Sequence, residues 1–227
     1  MKTLLFRNNN DKKLTLFFTG WGFDCNPFTD ILSRSGNNVL MCYDYSDLYF
    51  DFDTLKEWED IKIIAWSMGV WASSVLMEQH AKLRFPAIAI NGTTSPIDIR
   101  TGIPPQVFHK TLNELSEETL LKFFRNICLN EETYLQLLDN RPRRDIEDLR
   151  NELSSIEKLS HQFLGNPNYF HKAIIGKRDR IFPYANQKSA WKNCPDIHIV
   201  DDAHFLSVEN WQSILSGTNP TAEALST

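Results

Sequence analysis

The segment IIAWSMGVW, residues 63–71, changes its pattern at a single serine. The residues before Ser67 form a β-branched apolar run, as in a strand buried on both faces of a parallel sheet. The residues from Met68 onward suit an immediate helix, and Gly69 lets that helix pack close to the strand. Such a tight turn strains the backbone and projects the serine oxygen from the carboxyl edge of the sheet. Ser67 is therefore either a helix N-cap or a nucleophile, and other parts of the chain must decide.

Strand candidates recur along the chain and alternate with helical segments. Two short strands surround an Asn-rich turn near the start, and residues 70–83 have the spacing of a helix. The further strand candidates are residues 37–45, 61–66, 86–92, 172–176 and 197–200. This alternation predicts the α/β class, with a mostly parallel central sheet flanked by helices.

Residues 93–167 depart from the alternation. They open with the Pro-rich TSPIDIRTGIPPQVF and contain no strand candidate. Helical segments are expected near residues 116–128, 131–139 and 144–159. A block of helices inserted after one strand predicts a cap or lid over the carboxyl ends of the strands. We therefore expect a core of residues 1–92 and 168–227 and a helical cap of residues 93–167.

The composition limits the class of protein. The 227 residues are 42% hydrophobic and 23% charged, as in a folded globule. The formal net charge of −5 argues against nonspecific nucleic-acid binding, which needs clustered Lys and Arg. The four cysteines have no CxxC spacing, which argues against a zinc knuckle or a redox pair. The apolar stretch at residues 4–6 is too short for a signal peptide, and no apolar run is long enough to span a membrane. We therefore expect a cytoplasmic protein. Separately, we expect the protein to be a monomer.

The chain offers partners that would make Ser67 a nucleophile. A serine hydroxyl needs a neighbouring imidazole to remove its proton. Among six histidines, His204 is placed best, because it follows the last strand at the edge where Ser67 should emerge. Asp179, after the penultimate strand, is the predicted carboxylate partner. Asp201 and Asp202 compete, but they are so near His204 in sequence that a local loop rarely lets them reach its far ring nitrogen. The order Ser67, Asp179, His204 is that of α/β enzymes with a G-x-S-x-G turn.

An oxyanion hole would need two N–H donors. The residue after the nucleophile, Met68, would supply one from its backbone. The second is expected in FFTGWGFD after an early strand, where Gly20 and Gly22 bracket Trp21 and let the backbone approach the substrate. The alternative is an ordinary glycine turn with a packed tryptophan. In the assembled site we expect the backbone N–H groups of Trp21 and Met68 to form the oxyanion hole.

With these residues identified, the chain resembles the α/β-hydrolase superfamily over nearly its whole length. FFTGWGFD, AWSMG, GKRDRIFP and DDAHF together resemble the BioG family of pimeloyl-acyl-carrier-protein methyl ester esterases. The GWG loop and the W-S-x-G turn are also similar to the more distant BioH enzymes. Two departures are Ala65 at the first glycine of the G-x-S-x-G turn and Thr19 where many hydrolases have histidine. Neither departure removes a catalytic group.

The resemblance implies a serine carboxylesterase that converts pimeloyl-acyl carrier protein methyl ester to pimeloyl-acyl carrier protein and methanol in biotin biosynthesis. It assigns the nucleophile, acid and base to Ser67, Asp179 and His204, and the oxyanion donors to Trp21 and Met68. It requires no metal or organic cofactor. The partner it implies is the acyl carrier protein that bears the substrate.

Further side chains are candidates for contact with this substrate. Trp21 and Trp66 would line an apolar slot for the methylene chain. Phe123 and Phe124 would contact it from the cap, although residues at this helical spacing are more often core. An acidic carrier would dock on basic residues of the cap, whose candidates are Arg141, Arg143, Arg144 and Arg150. A solvated helix with i,i+4 charge pairs is the alternative for these arginines.

Other functions stay open at this point. A broad-specificity serine esterase or thioesterase for short acyl chains would use the same triad, because a shared fold does not fix the substrate. A non-catalytic binding protein with a hydrolase fold is disfavoured by the filled triad positions. A metal site is disfavoured because strand alternation would separate some of its ligands across the sheet; the candidate ligands are His198, Asp201, Asp202 and His204.

Overall fold

The computed structural model describes residues 1–80 and 82–220, with one seven-stranded sheet at its centre. The strands are β1 Lys2–Phe6, β2 Lys13–Phe18, β3 Asn38–Tyr43, β4 Asp60–Trp66, β5 Ala87–Ile90, β6 Lys172–Gly176 and β7 Asp196–Val200. They lie in the order β1-β3-β2-β4-β5-β6-β7, and each neighbouring pair is parallel except β1 with β3. The predicted α/β class with a mostly parallel sheet is confirmed.

The first two strands are not partners of each other. β1 runs antiparallel to β3 at the edge of the sheet, with Leu4 opposite Met41. The Asn-rich turn holds this arrangement, because Asn38 Oδ1 accepts hydrogen bonds from the backbone N–H groups of Asn8 and Asn9. The local sequence therefore determines where β1 and β2 lie along the chain. The hydrogen bonds to Asn38, which is 29 or 30 residues further along, help to determine that β1 pairs with β3.

Eight α-helices accompany the sheet in the described residues. They are α1 Thr29–Arg34, α2 Met68–Gln79, α3 Pro105–Asn113, α4 Glu117–Ile127, α5 Glu131–Asp139, α6 Ile146–Gln162, α7 Tyr184–Ala190 and α8 Val208–Ser216. Four of them, α3 to α6, lie between β5 and β6 and are referred to below as the helical insertion. The domain boundaries expected from the sequence remain a proposal, and residues 221–227 of the expected core lie outside the described residues.

Three helices of the insertion lie where the sequence predicts them, and α3 is an addition. The N-cap residues of α4, α5 and α6 are Ser116, Asn130 and Asp145, and each side chain accepts a hydrogen bond from a backbone N–H of the first turn. The last residues of the Pro-rich segment begin α3, with Pro105 in the first turn. Proline has no backbone N–H, but in the first turn of a helix this group would have no partner within the helix, so its absence does not destabilise α3. No helix of the described residues is both long and apolar enough to cross a membrane.

Candidate active site

Ser67 occupies a strained turn between β4 and α2. Its φ of 58° and ψ of −124° lie in a region that residues other than glycine rarely adopt. Two glycines make room for this turn. A Cβ atom on Gly69 would lie 2.5 Å from the carbonyl oxygens of Phe18 and Thr19, and one on Gly92 would lie 2.3 Å from the carbonyl oxygen of Ser67. Helix α2 can therefore begin against β2 directly after the serine, as the small residue at position 69 predicts.

The structure brings together Ser67, His204 and Asp179 from three separate parts of the chain. Ser67 Oγ lies 2.9 Å from His204 Nε2, and His204 Nδ1 lies 2.9 Å from Asp179 Oδ2. All three residues are buried. Because an ionised carboxylate only accepts hydrogen bonds, Nδ1 carries the ring proton and Nε2 is left to accept from the serine hydroxyl. This arrangement can move a proton from Ser67 Oγ to the imidazole.

Asp179 accepts hydrogen bonds from other groups besides His204. Its Oδ1 accepts from the backbone N–H groups of Ile181 and Phe182. Its Oδ2, which faces His204, also accepts from Gln187 Nε2 at 2.9 Å. Gln187 lies on α7 and is fully buried, and sequence reasoning did not find it, because nothing in its local pattern marks it. The carboxylate is therefore held by four hydrogen bonds, which fix the oxygen that the imidazole meets.

The loop that carries His204 is tied to the ends of neighbouring strands. Trp66 Nε1 donates to the carbonyl oxygen of His204 at 2.8 Å. Asn91 Nδ2 donates to the carbonyl oxygens of Ala203 and His204, and its Oδ1 accepts from the N–H of Gly176. Asn91 has a positive φ of 41° just after β5, a conformation that asparagine tolerates better than most residues. It thus joins the strand ends after β5 and β6 to the histidine loop.

The GWG loop lies beside the serine. A Cβ atom on Gly20 would lie 3.1 Å from Ser67 Cβ, so the loop passes directly over the nucleophile turn. The indole N–H of Trp21 donates to the carbonyl oxygen of Leu149 on α6, which leaves the backbone N–H of Trp21 as its group for an oxyanion. Met68 is the first residue of α2, where a backbone N–H has no helical partner. Both expected donors thus lie on segments that adjoin Ser67.

A cavity of about 630 Å³ opens above the serine. Ser67, Met68 and His204 lie in its wall, together with Gly20 and Trp21 of the GWG loop. The helical insertion and the segments that adjoin its helices supply much of the remaining wall, with both polar and apolar side chains, the apolar ones being Ile103, Val107, Phe108, Leu115, Phe123 and Leu153. A cavity of this size suits a small organic ligand or the acyl arm of a larger one.

The expected substrate contacts divide into two groups. Trp21 and Phe123 line the cavity, and their rings meet edge to face at 5.1 Å between centroids. Phe124 does not line the cavity, because its side chain turns into the core, where it is 2% exposed and packs against Phe23. Trp66 borders the cavity but is 1% exposed and sits in a cluster of aromatic rings. The prediction for Phe124 is therefore corrected, and Trp66 serves mainly to hold the histidine loop.

The four arginines expected to dock a carrier have different surroundings. Arg144 is only 6% exposed and pairs with Glu152 and Asp44, so the docking prediction for it is wrong. Arg150 is partly exposed and donates to the carbonyl oxygens of Leu112 and Leu115. Arg141 and Arg143 are exposed, but neither is among the residues that line the cavity. The cations that do line it are Lys110, Lys122 and Arg180.

The side chains weighed as metal ligands have separate partners. His198 Nε2 lies 3.1 Å from the carbonyl oxygen of Pro220, and Asp201 pairs with Arg178. Asp202 Oδ2 accepts from Asn210 and from the N–H of Ser207. Within residues 1–80 and 82–220, no three His, Cys, Asp or Glu side chains are grouped to hold a metal ion.

The cysteines do not offer a competing nucleophile. Burial raises the pKa of the Cys128 thiol to about 12 and that of Cys42 still further. Burial also raises the pKa of Cys25 and Cys194, which are half-buried. Because the thiolate is the reactive form, these groups are poor nucleophiles at neutral pH.

Comparison with known proteins identifies a family and a fold for this chain. The family described as "Pimeloyl-ACP methyl esterase BioG" matches residues 1–214. The crystal structure of BioG from Haemophilus influenzae aligns with a TM-score of 0.80 and 32% identity, over 90% of this chain and 94% of that one. A lipase-esterase related protein from Clostridium acetobutylicum aligns with a TM-score of 0.65 over 94% of this chain and 96% of that one, but at 17% identity it shows the fold alone. These neighbours confirm the α/β-hydrolase fold.

One relative has a different name. A Bacteroides fragilis (strain 638R) protein called malonyl-[acyl-carrier protein] O-methyltransferase is 43% identical over 196 residues, which is 86% of this chain. The match covers 40% of that protein, so the chain spans about two fifths of the relative's length. Because the family match spans residues 1–214 and the Haemophilus structure aligns over 90% of the chain, the chain belongs to the BioG family.

Proposed function

We propose that this chain is a serine carboxylesterase that hydrolyses pimeloyl-acyl carrier protein methyl ester to pimeloyl-acyl carrier protein and methanol in biotin biosynthesis. The observation that carries the proposal is the pair of 2.9 Å contacts from Ser67 through His204 to Asp179 in the wall of an apolar cavity. The description of the family as a pimeloyl-ACP methyl esterase supports the same reaction.

The proposed mechanism uses each of these groups in turn. Asp179 orients His204, which takes the proton from Ser67 as its oxygen attacks the ester carbonyl. The backbone N–H groups of Trp21 and Met68 hold the oxyanion of the tetrahedral intermediate. His204 then gives this proton to the departing methoxide oxygen, so that methanol leaves. It next takes a proton from the water that attacks the acyl-enzyme and returns it to Ser67 Oγ as the acid product is released.

The cavity supports an acyl chain as the part of the substrate that enters. Its wall is mainly apolar, and its volume of about 630 Å³ is far below that of a carrier protein. The carrier would therefore stay outside while its arm reaches Ser67. Acyl carrier proteins are acidic, and the exposed cations Lys110, Lys122 and Arg180 around the cavity would attract such a partner. Lys122 is paired with Glu118, but exposed pairs of this kind are weak enough to exchange.

The name of the Bacteroides relative does not extend to this chain. Most of that protein lies outside the match, so its methyltransferase activity need not reside in the shared part. The two reactions differ, since a methyltransferase adds a methyl group from a donor and an esterase removes one as methanol. Transfer of a methyl group to malonyl-acyl carrier protein by this chain alone would overturn the esterase proposal.

The decisive experiment measures methanol release from pimeloyl-acyl carrier protein methyl ester. We expect turnover by the wild type and a loss of about 10⁶-fold in kcat in Ser67→Ala, because the nucleophile is removed. Ser73→Ala is the matched control: this serine is buried on α2, the helix that begins after Ser67, and donates to the carbonyl oxygen of Val70. It is not among the residues that line the cavity. Retained activity in Ser67→Ala, or an inert wild type that a fluorophosphonate does not label, would contradict the proposal.

A second arm of that experiment tests the carrier. In the double variant Lys122→Gln/Arg180→Gln, KM for the carrier-bound ester should rise about tenfold, while turnover of free p-nitrophenyl esters stays unchanged. Lys13→Gln is the control, because this lysine begins β2 and so lies at the amino ends of the parallel strands, away from the cavity. It should change neither KM for the carrier-bound ester nor turnover of the free esters. Equal effects on both substrates would favour a broad-specificity esterase, and hydrolysis of free esters alone would establish one.

A further inference from the structure

A glutamate occupies a core position on the inner face of α6. Leu149, Glu152, Leu153 and Ile156 are buried at helical spacing, and Glu152 is fully buried. A carboxylate at such a position has a large desolvation cost unless it is paired and hydrogen-bonded. Burial raises the pKa of Glu152, and the charge of Arg144 opposes this effect. The presence of this group therefore calls for a reason other than packing.

The contacts of Glu152 lead from the helical insertion to the GWG loop of the core. Its Oε2 accepts from the backbone N–H of Gly22 at 3.3 Å and bonds the guanidinium of Arg144. Its Oε1 accepts from the backbone N–H of Tyr45 at 2.9 Å. Arg144 in turn lies 3.2 Å from Asp44, just after β3. One carboxylate thus joins α6 to the loops that follow β2 and β3.

Helix α6 also holds Trp21 directly, through a second hydrogen bond. The indole N–H of Trp21 donates to the carbonyl oxygen of Leu149 at 2.9 Å, one turn before Glu152. Trp21 is therefore held against α6 by two hydrogen bonds, one from its own indole N–H and one from the backbone N–H of Gly22, the next residue. Gly22 has a φ of 80°, which glycine adopts without steric cost, and within the loop the N–H of Phe23 donates to the carbonyl oxygen of Gly20 at 3.4 Å. The two contacts with α6, together with this bond within the loop, set the direction of the Trp21 backbone N–H.

We propose that Glu152 is a positioning residue that holds the oxyanion loop against α6, so that the helical insertion completes the oxyanion hole as well as the cavity wall. This inference rests on the proposed serine esterase function. Without the carboxylate, the peptide after Trp21 loses its acceptor, and the N–H of Trp21 is no longer held toward the developing oxyanion. The contacts among Ser67, His204 and Asp179 do not involve Glu152 and stay intact.

The test compares Glu152→Met, which removes both acceptor oxygens at similar side-chain length, with the wild type on a p-nitrophenyl ester. Removal of one oxyanion donor costs about 10²- to 10³-fold in kcat in comparable enzymes. Because Trp21 is misdirected here and not removed, we expect kcat to fall about 10- to 100-fold with KM changed less than about threefold. Affinity for a trifluoromethyl ketone, whose adduct with serine places an oxyanion in the hole, should fall by the same factor.

A second variant separates positioning from folding. Buried ion pairs can often be replaced by apolar residues without loss of stability. Arg144→Met/Glu152→Leu should therefore keep a Tm within a few degrees of the wild type and still show the fall in kcat and in inhibitor affinity. Glu157→Gln is the matched control, because this carboxylate is on the same helix and contacts His109 and not the loop.

The outcomes distinguish this proposal from the one on which it rests. An active wild type, combined with a folded Arg144→Met/Glu152→Leu variant that keeps its kcat and inhibitor affinity, would overturn the role of Glu152 alone. A Ser67 that is inert in the wild type would overturn both proposals. A fall in kcat matched by a fall in inhibitor affinity, at near-constant KM, is the expected result.

Discussion

At the scale of single residues, the carboxylate of Asp179 depends on a side chain outside the predicted triad. Gln187 donates to the same oxygen that meets His204, and it also donates to the carbonyl oxygen of Phe182. The glutamine is fully buried, so no water replaces it readily. Its role follows from geometry: it keeps Oδ2 directed at the imidazole.

Gln187→Met is expected to lower kcat about tenfold at nearly constant KM, a cost of about 1.4 kcal/mol in the transition state. The methionine keeps the length of the side chain and removes the donor to Asp179. Steady-state kinetics on a free ester would measure the effect, and Gln212→Met, an exposed glutamine on α8, serves as the control. An unchanged kcat in a folded Gln187→Met protein would show that the backbone donors to Asp179 suffice.

At the scale of secondary-structure elements, Arg150 connects two helices of the insertion. It lies on α6 and donates to the carbonyl oxygens of Leu112 and Leu115 at 2.9 and 2.7 Å, at the end of α3. Leu112 is in the last turn of α3 and Leu115 follows the helix, so neither carbonyl group has a partner within α3. Arg150 therefore supports the helix that carries Val107, Phe108 and Lys110 into the cavity wall.

Arg150→Met should lower Tm by roughly 2 to 6 °C, since two hydrogen bonds from a charged donor are lost in a chain of this size. Activity on the carrier-bound ester and on free esters should fall by the same factor. Arg141→Met, on the exposed segment before α6, should leave Tm unchanged. A loss confined to the carrier-bound ester would support the docking role that the sequence suggests for Arg150.

At the scale of the whole molecule, Asp44 joins three parts of the fold. It pairs with Lys2 of β1 at 2.9 Å and with Arg144 of the insertion at 3.2 Å, and it follows β3 itself. Burial opposes its ionisation, but the hydrogen bonds from Lys2 and Ser46 and the charge of Arg144 outweigh that effect and lower the pKa of Asp44 below the ordinary value of an aspartate. The unfolded chain therefore binds this proton more tightly, and acid favours unfolding.

The contribution of Asp44 to stability should be complete above its unfolded pKa of about 3.9 and should be lost as the pH falls through the lowered native value. Asp44→Asn should thus flatten the dependence of the unfolding free energy on pH below about pH 5. Asparagine tolerates the positive φ of this position, so the backbone is kept. Urea unfolding at a series of pH values would measure this, with Asp30→Asn as the exposed control; an unchanged slope in Asp44→Asn would contradict it.

The sequence alone is enough to predict the sheet and the three residues that meet at its edge. Buried parallel strands are apolar runs, and their carboxyl ends lie at one edge, so residues 67, 179 and 204 are neighbours before any contact is known. The insertion is also visible, because its helices have their own caps and periodicity. These features depend on neighbouring residues in the chain, so the sequence pattern is sufficient to predict them.

Only the tertiary structure decides the remainder, because it depends on contacts between distant segments. The pairing of β1 with β3, the burial of Arg144 against Glu152 and Asp44, and the donor that Gln187 gives to Asp179 join positions that no short pattern relates. Adjacent Phe123 and Phe124 differ in role only through the rotation of α4. The sequence thus determines which strand ends can carry the chemistry, and packing determines which side chains hold it in place, since side-chain environment is a property of the assembled fold.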